Sequence, residues 1–258
     1  MSATPRLYLS ADLSTQARFD LDQDQAGYLF RVLRLTEGAS VRVFNGRDGE
    51  WSARVDHIGK RGGALVCRRQ ERTQAASPDI WLLFAPLKKA RTDFVVEKAT
   101  ELGVRRIAPV TTARTQSDRV RVDRLERLAI EAAEQTERLD LPLISPPQGL
   151  RTYLADWPEG RRLFYADEAG DDGAKPWGGE VGRAAPALTA FQGAGPGPAA
   201  LLIGPEGGFA PEERAQLRAQ PFVTPIGLGP RILRAETAVA AGLALWQAAC
   251  GDWGATRT

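Results

Sequence analysis

Two glycine-rich turns in the C-terminal half of this 258-residue chain carry most of the residues that could hold a ligand. The first lies in LLIGPEGGFAPEE, residues 201–213, and the second is GLG, residues 227–229. Neither has the spacing of a phosphate loop, GxGxxG or GxxxxGK[ST]. Pro205 lacks a backbone donor, and Glu206 places a carboxylate where a phosphate would be repelled. We therefore expect the first turn to hold a neutral or cationic ligand.

Both turns follow predicted strands, and open parallel sheets bind ligands beyond the carboxyl ends of their strands. The two turns are therefore expected to line one pocket. S-adenosylmethionine suits such a pocket because it has a positive sulfonium, no phosphate, and an adenine that needs apolar walls and backbone hydrogen bonds. The alternative is that both are tight turns that need glycine only for its positive φ.

The elements that would position these turns alternate along residues 79–258. Helices are predicted at residues 91–102, 121–138, 211–219 and 235–250, and the apolar strands between them are DIWLLFAPL, VRRIAPV, LPLIS, RRLFYA, AALLIG and FVTPIG. This alternation predicts an α/β domain with a parallel sheet covered on both faces. Residues 167–198 contain GDDGAKPWGG and GAGPGP, so we expect a mobile excursion around one short helix.

Residues 1–72 have a different pattern, with a helical piece at residues 23–33 among four short strands, RLYL, ASVRVFNG, EWSARVDHI and GALVCRRQ. The NGRDG turn at residues 45–49 predicts a hairpin between the second and third strands. No predicted helix is long enough to cover an open sheet, so we expect a small β-barrel. Residues 73–78, TQAASP, are the predicted linker to the second domain.

Composition excludes several classes of protein. The chain is 43% hydrophobic and 26% charged, and no apolar run approaches the roughly 20 residues of a membrane span. Its first residues lack a secretory signal, so we expect no membrane association and a cytoplasmic location. Residues 1–77 hold 12 Lys and Arg against nine Asp and Glu, which permits phosphate contacts by the first domain but equally fits a general preference for arginine.

Cysteine and histidine usage argues against a metal site. Cys67 and Cys250 fit neither a disulfide framework nor a CxxC metal motif, and we expect both to be small buried side chains. His57 is the only histidine. A single histidine in a predicted strand rules out a histidine-based metal cluster or catalytic triad, so no metal is expected.

The stretches GPEGGFAPEE and LGPRILRAETA resemble the signature of the RsmE family, small-subunit rRNA uridine-N3 methyltransferases of the SPOUT class. VLRLTEGASVRVFNG, LKKARTDFVVEKATELGVRRIAPV and RLERLAIEAAEQTER resemble the family's other blocks in the same order. The resemblance therefore covers nearly the whole chain except residues 167–198. It implies a PUA-like N-terminal barrel, a SPOUT-type parallel sheet with a C-terminal trefoil knot, and S-adenosylmethionine as cofactor.

The same resemblance implies a substrate and an assembly. The expected substrate is a uridine of 16S rRNA, methylated at N3, within a small-subunit particle. The expected assembly is a homodimer with the knot at the interface. The predicted last helix agrees with this, because it has no charged residue between Thr237 and Gly251.

Carried over by motif, the cofactor-binding residues are Gly204, Pro205, Glu206, Gly207, Gly208, Leu228, Gly229, Ile232 and Leu233. Residues 165–167, at the end of a predicted strand, are expected to supply a third wall. Arg234 is the candidate for stabilising the negative charge that develops on the uracil oxygens, and the alternative is an arginine that pairs with Glu206 or Glu236 to fix the loops. Glu236 and Glu206 compete as proton acceptor, although either could instead cap a helix N-terminus.

In the first domain the candidate phosphate contacts are Arg6, Arg31 and Arg34, and the alternative is that they are solvated surface arginines. Family members commonly have histidine where this chain has Tyr28, so a stacking or hydroxyl contact would replace an imidazole. Structural ion pairs at helical spacing are expected for Lys98, Glu101, Glu131, Glu134, Gln135 and Arg138.

Three other functions compete with uridine-N3 methylation. Ribose 2′-O-methylation by another SPOUT enzyme is disfavoured by the barrel and the ILRAETA loop. A non-catalytic RNA-binding module would bind RNA without the cofactor. A nucleotide-dependent oxidoreductase is disfavoured by the missing GxGxxG.

Overall fold

The computed structural model describes residues 4–60, 62–116, 119–167 and 184–254. The chain divides into two compact units. The first unit comprises Met1–Ala76 together with Ile130–Leu141, and the second comprises Ser77–Ala129 together with Pro142–Thr258.

The first unit is built on a five-stranded sheet with the order β1-β3-β4-β5-β2. Its strands are β1 (Arg6–Tyr8), β2 (Arg18–Leu21), β3 (Ser40–Phe44), β4 (Glu50–Ile58) and β5 (Gly63–Arg72). Helix α1 (Gln23–Ala26) and a π-helical turn (Gly27–Val32) follow β2. The prediction of a small domain built on a β-sheet is confirmed, whereas closure of that sheet into a barrel stays a prediction, because no pairing among the described residues joins its edge strands β1 and β2. Strand β2 is one that the pattern did not reveal.

The hairpin predicted at NGRDG is confirmed, because β3 and β4 pair antiparallel with Ser40 opposite Arg54. Asn45 organises the turn: its side-chain oxygen accepts hydrogen bonds from the backbone N–H groups of Arg47, at 2.9 Å, and Asp48, at 2.8 Å. Asparagine favours turns because its short side chain bonds the backbone in this way.

Arg6 lies inside the first unit, where it is 5% exposed. Its Nε donates to Glu50 at 2.6 Å, and its other nitrogens donate to the carbonyl oxygens of Ala133, at 2.6 Å, and Arg138, at 2.9 Å. These bonds hold residues 130–141 in the unit. The prediction that Arg6 contacts an RNA phosphate is therefore wrong for this structure, because its donors already serve buried protein acceptors.

The structural roles expected for the charged helical residues are partly confirmed. Lys98 pairs with Glu101 at 2.6 Å, as expected. Glu134, however, accepts the backbone N–H of Tyr8 at 2.9 Å, and Arg138 pairs with Asp140 at 2.8 Å. The pairing partners differ from those expected because the segment packs against the sheet of the first unit.

The second unit contains an eight-stranded sheet. Along the path β11-β13-β10-β12-β6-β7-β8 every pairing is parallel, and β9 pairs with β7. The strands are β6 (Ile80–Phe84), β7 (Arg106–Thr111), β8 (Leu143–Ile144), β9 (Gln148–Gly149), β10 (Arg162–Ala166), β11 (Ala185–Pro186), β12 (Ala199–Ile203) and β13 (Val223–Gly227). Each central strand is buried over most of its length, as continuous apolar strands require.

Helices accompany this sheet, as the alternating pattern predicts: α2 (Lys89–Glu101), the first part of α3 (Val122–Gln135), α4 (Leu150–Ala155), α5 (Ala187–Ala194), α6 (Pro211–Arg218) and α7 (Ala235–Cys250). The last residues of α3, from Ile130, belong to the first unit. The predicted bounds of α7 are confirmed. It packs closely on the sheet, because a Cβ at Gly242 would lie 2.8 Å from the Leu201 side chain. The pattern missed α4, β9 and β11.

The α/β class and the parallel sheet are confirmed, and the trefoil knot stays a prediction. Helix α5 is the short helix expected within residues 167–198, whereas the predicted mobile excursion around it falls mainly on residues 168–183, which lie outside the described residues. Within the described ranges no helix has the length and apolar character needed to cross a membrane.

Candidate active site

Three neighbouring strands end at the same edge of the second unit's sheet. Strand β10 lies between β12 and β13, and all three run parallel. Strand β12 leads into Gly204, β10 into Asp167 and β13 into Leu228. The backbone N–H of Asp167 donates to the carbonyl of Ile226 at 3.1 Å. The two glycine turns and the predicted third wall therefore converge, as expected for parallel strand ends.

The first glycine turn, residues 204–208, is compact. The Gly208 N–H donates to the Pro205 carbonyl at 2.9 Å, and Gly208 has φ +66°. A Cβ at Gly204 would lie 2.9 Å from the Phe209 ring. In the second turn, Gly229 has φ +104° and open space around it. Glycine is therefore required by backbone conformation at two positions and by close packing at a third.

Two arginines from other segments of the chain contact the first glycine turn. Arg91, in the first turn of α2, donates to the Glu206 carboxylate at 2.7 Å. Arg114, after β7, donates to the Gly207 carbonyl at 2.7 Å. Glu213 of α6 accepts the backbone N–H of Ala113 at 2.7 Å. The turn is thus fixed by the segments that follow β6 and β7.

The contact with Arg91 corrects the charge argument made from the sequence. Glu206 was expected to present an uncompensated carboxylate to the ligand, but a guanidinium neutralises it. Arg91 also lies 3.6 Å from Glu236. The alternative suggested for Arg234, pairing with Glu206 or Glu236 to fix the loops, is therefore a role that Arg91 fills.

Arg234 is exposed and is the N-cap residue of α7, without a capping hydrogen bond from its side chain. No carboxylate of a described residue forms an ion pair with it. Glu236 lies in the first turn of α7 with its side chain 15% exposed. Its Oε2 is buried and accepts no hydrogen bond from the residues that the structure describes. Arg234 is therefore an exposed cation, and Glu236 has a carboxylate oxygen without a hydrogen-bond donor among the described residues.

The apolar candidates divide into two groups. Leu228 and Leu233 are partly buried and pack against the core of the second unit. Ile232 is 60% exposed. An apolar wall beside the second turn is therefore preformed by the two leucines, whereas Ile232 projects into solvent.

A buried charge cluster occupies the end of β10. The Asp167 carboxylate accepts hydrogen bonds from Tyr165 at 2.8 Å, from Arg218 at 2.7 Å and from Arg214 at 3.1 Å. Burial acts to raise the pKa of Asp167, but these donors outweigh it and hold the pKa below its ordinary value. Burial, together with Asp167, raises the pKa of Tyr165 to about 12.

This cluster reaches the first glycine turn through one aromatic contact. The Tyr165 ring meets the Phe209 ring edge to face at 5.8 Å, and Phe209 lies against Gly204. The cluster therefore supports the Phe209 ring, against which the first glycine turn packs.

The arginines proposed to contact RNA in the first unit have different environments. Arg31 and Arg34 are exposed, and Arg34 adopts a left-handed conformation with φ +56°. Between them Val32 is 68% exposed. Tyr28 is partly buried against the core of this unit. Contacts of Arg31, Arg34 and Tyr28 with RNA stay predictions.

Sequence reasoning missed Arg91, Arg114 and the arginines of α6. Arg91 follows β6. In the sheet β6 is a neighbour of β12, although more than 100 residues separate the two strands in the chain. The sequence did contain a partial signal for the α6 arginines, because Arg214 and Arg218 lie four residues apart and so share one face of the helix. The strand order, which decides what they face, has no local signal.

The two cysteines and the single histidine lie in different environments. Cys67 is fully buried, and burial raises the pKa of its thiol to about 11. Cys250 is partly buried and its sulfur contacts the Phe191 carbonyl at 3.2 Å. The His57 side chain is 61% exposed. Within the described ranges no three His, Cys, Asp or Glu residues are grouped as they would be around a metal ion.

Comparisons with known proteins agree on one family. The model of the RNA methyltransferase domain matches residues 75–247, and that of the RNA methyltransferase PUA domain matches residues 21–66. Ribosomal RNA small subunit methyltransferase E of Rickettsia conorii is 30% identical over 93% of each chain. The Bacillus subtilis protein of the same name is 27% identical over 85% of this chain and 86% of its own.

Two solved structures are similar over nearly their whole length. One is a ribosomal RNA small subunit methyltransferase E from Neisseria gonorrhoeae bound to S-adenosylmethionine, with a TM-score of 0.80, 27% identity, and coverage of 97% of this chain and 99% of that one. The other is a methyltransferase from Legionella pneumophila in complex with the same cofactor, with a TM-score of 0.81, 28% identity, and coverage of 96% and 99%. The chain belongs to the ribosomal RNA small subunit methyltransferase E family of RNA methyltransferases.

Proposed function

We propose that this protein uses S-adenosylmethionine to methylate N3 of a uridine in small-subunit (16S) ribosomal RNA. The observation that carries the proposal is the convergence of both glycine turns and the Asp167 strand end at one edge of the sheet. Membership of the family supports the cofactor and the RNA class of the substrate. A cytoplasmic location follows from this substrate.

The residues at this edge fit the cofactor. Leu228 and Leu233 offer an apolar wall, and the backbone of residues 204–208 lies at the same edge of the sheet. The buried, unpartnered Oε2 of Glu236 requires a hydrogen-bond donor, which a bound ligand or substrate would supply. When bound, S-adenosylmethionine supplies an electrophilic methyl group on a cationic sulfur. We assign Gly204, Pro205, Glu206, Gly207, Gly208, Leu228, Gly229, Ile232 and Leu233 to its site.

Methylation at N3 requires the loss of a weakly acidic N–H, and negative charge then develops on the uracil oxygens. Arg234 is the group proposed to stabilise that charge, because it is exposed and pairs with no described carboxylate. Arg91, in contrast, is engaged by Glu206. The charge of Arg234, which no described carboxylate neutralises, is therefore available to a substrate.

Of the two candidate proton acceptors, Glu236 is favoured over Glu206. Glu206 accepts a 2.7 Å hydrogen bond from Arg91, which already occupies its Oε1. The free Oε2 of Glu236 has no such donor. A carboxylate of this kind is suited to receive the N3 proton once substrate is positioned within hydrogen-bond distance.

The N3 atom lies on the pairing edge of uracil, so the base must be unpaired or flipped out of its stack. We propose that residues 1–72 act as the RNA-binding domain and residues 79–258 as the methyltransferase domain, joined by residues 73–78. Within the first, Arg31 and Arg34 are the proposed phosphate contacts, because both are exposed.

A homodimer is part of the same proposal. Helix α7 buries one face, which includes Val239, Leu243 and Trp246. Its other face carries the partly exposed small residues Ala241 and Ala244. A second copy of the chain would cover this face, since small residues allow close approach of helices.

Methyl transfer in vitro tests the proposed function. Small subunits lacking the modification would be incubated with the protein and radiolabelled S-adenosylmethionine, and the modified nucleoside would be identified by mass spectrometry. We expect N3-methyluridine at one position. A ribose methyl group would instead identify a 2′-O-methyltransferase, and RNA binding without cofactor binding would identify a non-catalytic module. Replacement of Arg234 by alanine should lower turnover about 10²- to 10³-fold, the loss typical when one charge-stabilising donor is removed.

A further inference from the structure

Arg91 lies between two carboxylates that come from distant parts of the chain. Its Nη1 is 2.7 Å from Glu206 in the first glycine turn, and its Nε is 3.6 Å from Glu236 at the start of α7. The Arg91 side chain is 36% exposed, so the contact lies at the rim of the site and not in the core. One cation therefore compensates two anions at the site proposed for the cofactor.

The charge at this point matters because methyl transfer turns a cationic ligand into a neutral thioether. Two uncompensated carboxylates would favour the cationic ligand over the neutral product. Interactions that stabilise a bound reactant more than the transition state slow the chemical step. Partial neutralisation of Glu206 and Glu236 reduces that ground-state preference.

We propose that Arg91 balances the charge of the cofactor site and thereby sets how strongly the site distinguishes the cationic methyl donor from its neutral product. This inference rests on the proposed function, because it requires that both ligands bind at the glycine turns. Arg91 is a positioning and charge-balancing residue that acts through Glu206 and Glu236. Arg114 differs from Arg91, because at the glycine turn it donates to the Gly207 carbonyl and not to a carboxylate.

Isothermal titration calorimetry with S-adenosylmethionine and S-adenosylhomocysteine tests the proposal. In Arg91→Met, a side chain of similar reach without charge leaves both carboxylates uncompensated. We expect the ratio of the two dissociation constants to shift toward S-adenosylmethionine by about three- to tenfold, as expected for charges separated by several ångströms near a protein surface. The shift should diminish in high salt.

Two further variants define the sign and the origin of the effect. Arg91→Lys retains the charge and should keep the ratio within about twofold of the original. Glu206→Gln removes a negative charge and should move the ratio in the opposite direction, toward S-adenosylhomocysteine. Lys98→Met is the matched control, because Lys98 lies on the same helix in a surface pair with Glu101 and should leave both constants unchanged.

The outcomes separate the inference from the proposed function. If Arg91→Met weakens both ligands equally, Arg91 only supports the fold of the turn and the inference is overturned. If Glu206→Gln shifts the ratio in the same direction as Arg91→Met, charge balance is also refuted. If the unmodified protein binds neither ligand, the proposed function itself fails.

Discussion

Replacing Asp167 by asparagine should destabilise the second unit strongly at neutral pH. The Asp167 side chain is 2% exposed and is paired with Arg214 and Arg218, whose side chains are 23% and 29% exposed. Removing one partner of a buried ion pair costs about 3–5 kcal/mol. Because both arginines retain some contact with water, we expect about 3 kcal/mol, which for a unit of this size lowers the melting temperature by about 6–12 °C.

Calorimetric melting of Asp167→Asn across a pH series provides the assay. The folded-state pKa of Asp167 lies below its ordinary value of 3.8. The stabilisation from its ionised form is therefore complete above that value and is lost as the pH falls through the lower, folded-state pKa. The difference between the two proteins should be constant from pH 7 to about pH 5 and should narrow below about pH 4.

Asp123→Asn is the control for this prediction. Asp123 pairs with Arg121 on the surface, with side chains 57% and 71% exposed, so its removal should scarcely alter the melting temperature. A change below about 2 °C for Asp167→Asn at pH 7 would refute the reasoning. So would a difference that stays undiminished down to the acid limit of folding.

Three further substitutions test packing and burial by chemical denaturation. Gly204→Ala should lower the free energy of unfolding by about 1–3 kcal/mol, because the added Cβ would lie 2.9 Å from the Phe209 ring. Gly193→Ala, in α5 with open space around it, should raise the free energy of unfolding by about 0.5–1 kcal/mol. Equal effects of the two substitutions would contradict this account. Burial raises the pKa of Glu134, so its charged form opposes folding at neutral pH. The Glu134→Gln variant keeps an acceptor for the Tyr8 N–H, and it should therefore be at least as stable as the original protein at pH 7. A loss above about 1 kcal/mol would show that the charge itself is required.

Local patterns predicted the elements of the site well. Continuous apolar runs placed β6, β10 and β12, and the uncharged run after Glu236 placed α7 with its observed bounds. The NGRDG hairpin was also predictable, because asparagine and glycine dictate the geometry of that turn. In each case the signal lies within a few consecutive residues.

The failures of prediction involve residues whose environment depends on distant segments. Arg6 was expected on the surface because arginine usually lies there, but Glu50 and three carbonyl groups from residues 133–138 surround it. Glu206 was expected to be uncompensated because its partner, Arg91, precedes it by 115 positions. Strand order decides such contacts, and periodicity does not encode strand order.

Because Ile130–Leu141 belong to the first unit, that unit is discontinuous in the chain. During synthesis its sheet strands are complete by Arg72, yet the carbonyl groups that accept hydrogen bonds from Arg6 appear only with residues 133–138. At about 5–20 residues per second, several seconds separate the two events. In that interval Arg6 has only Glu50 among its four native acceptors, and the other three are still missing from the folded sheet.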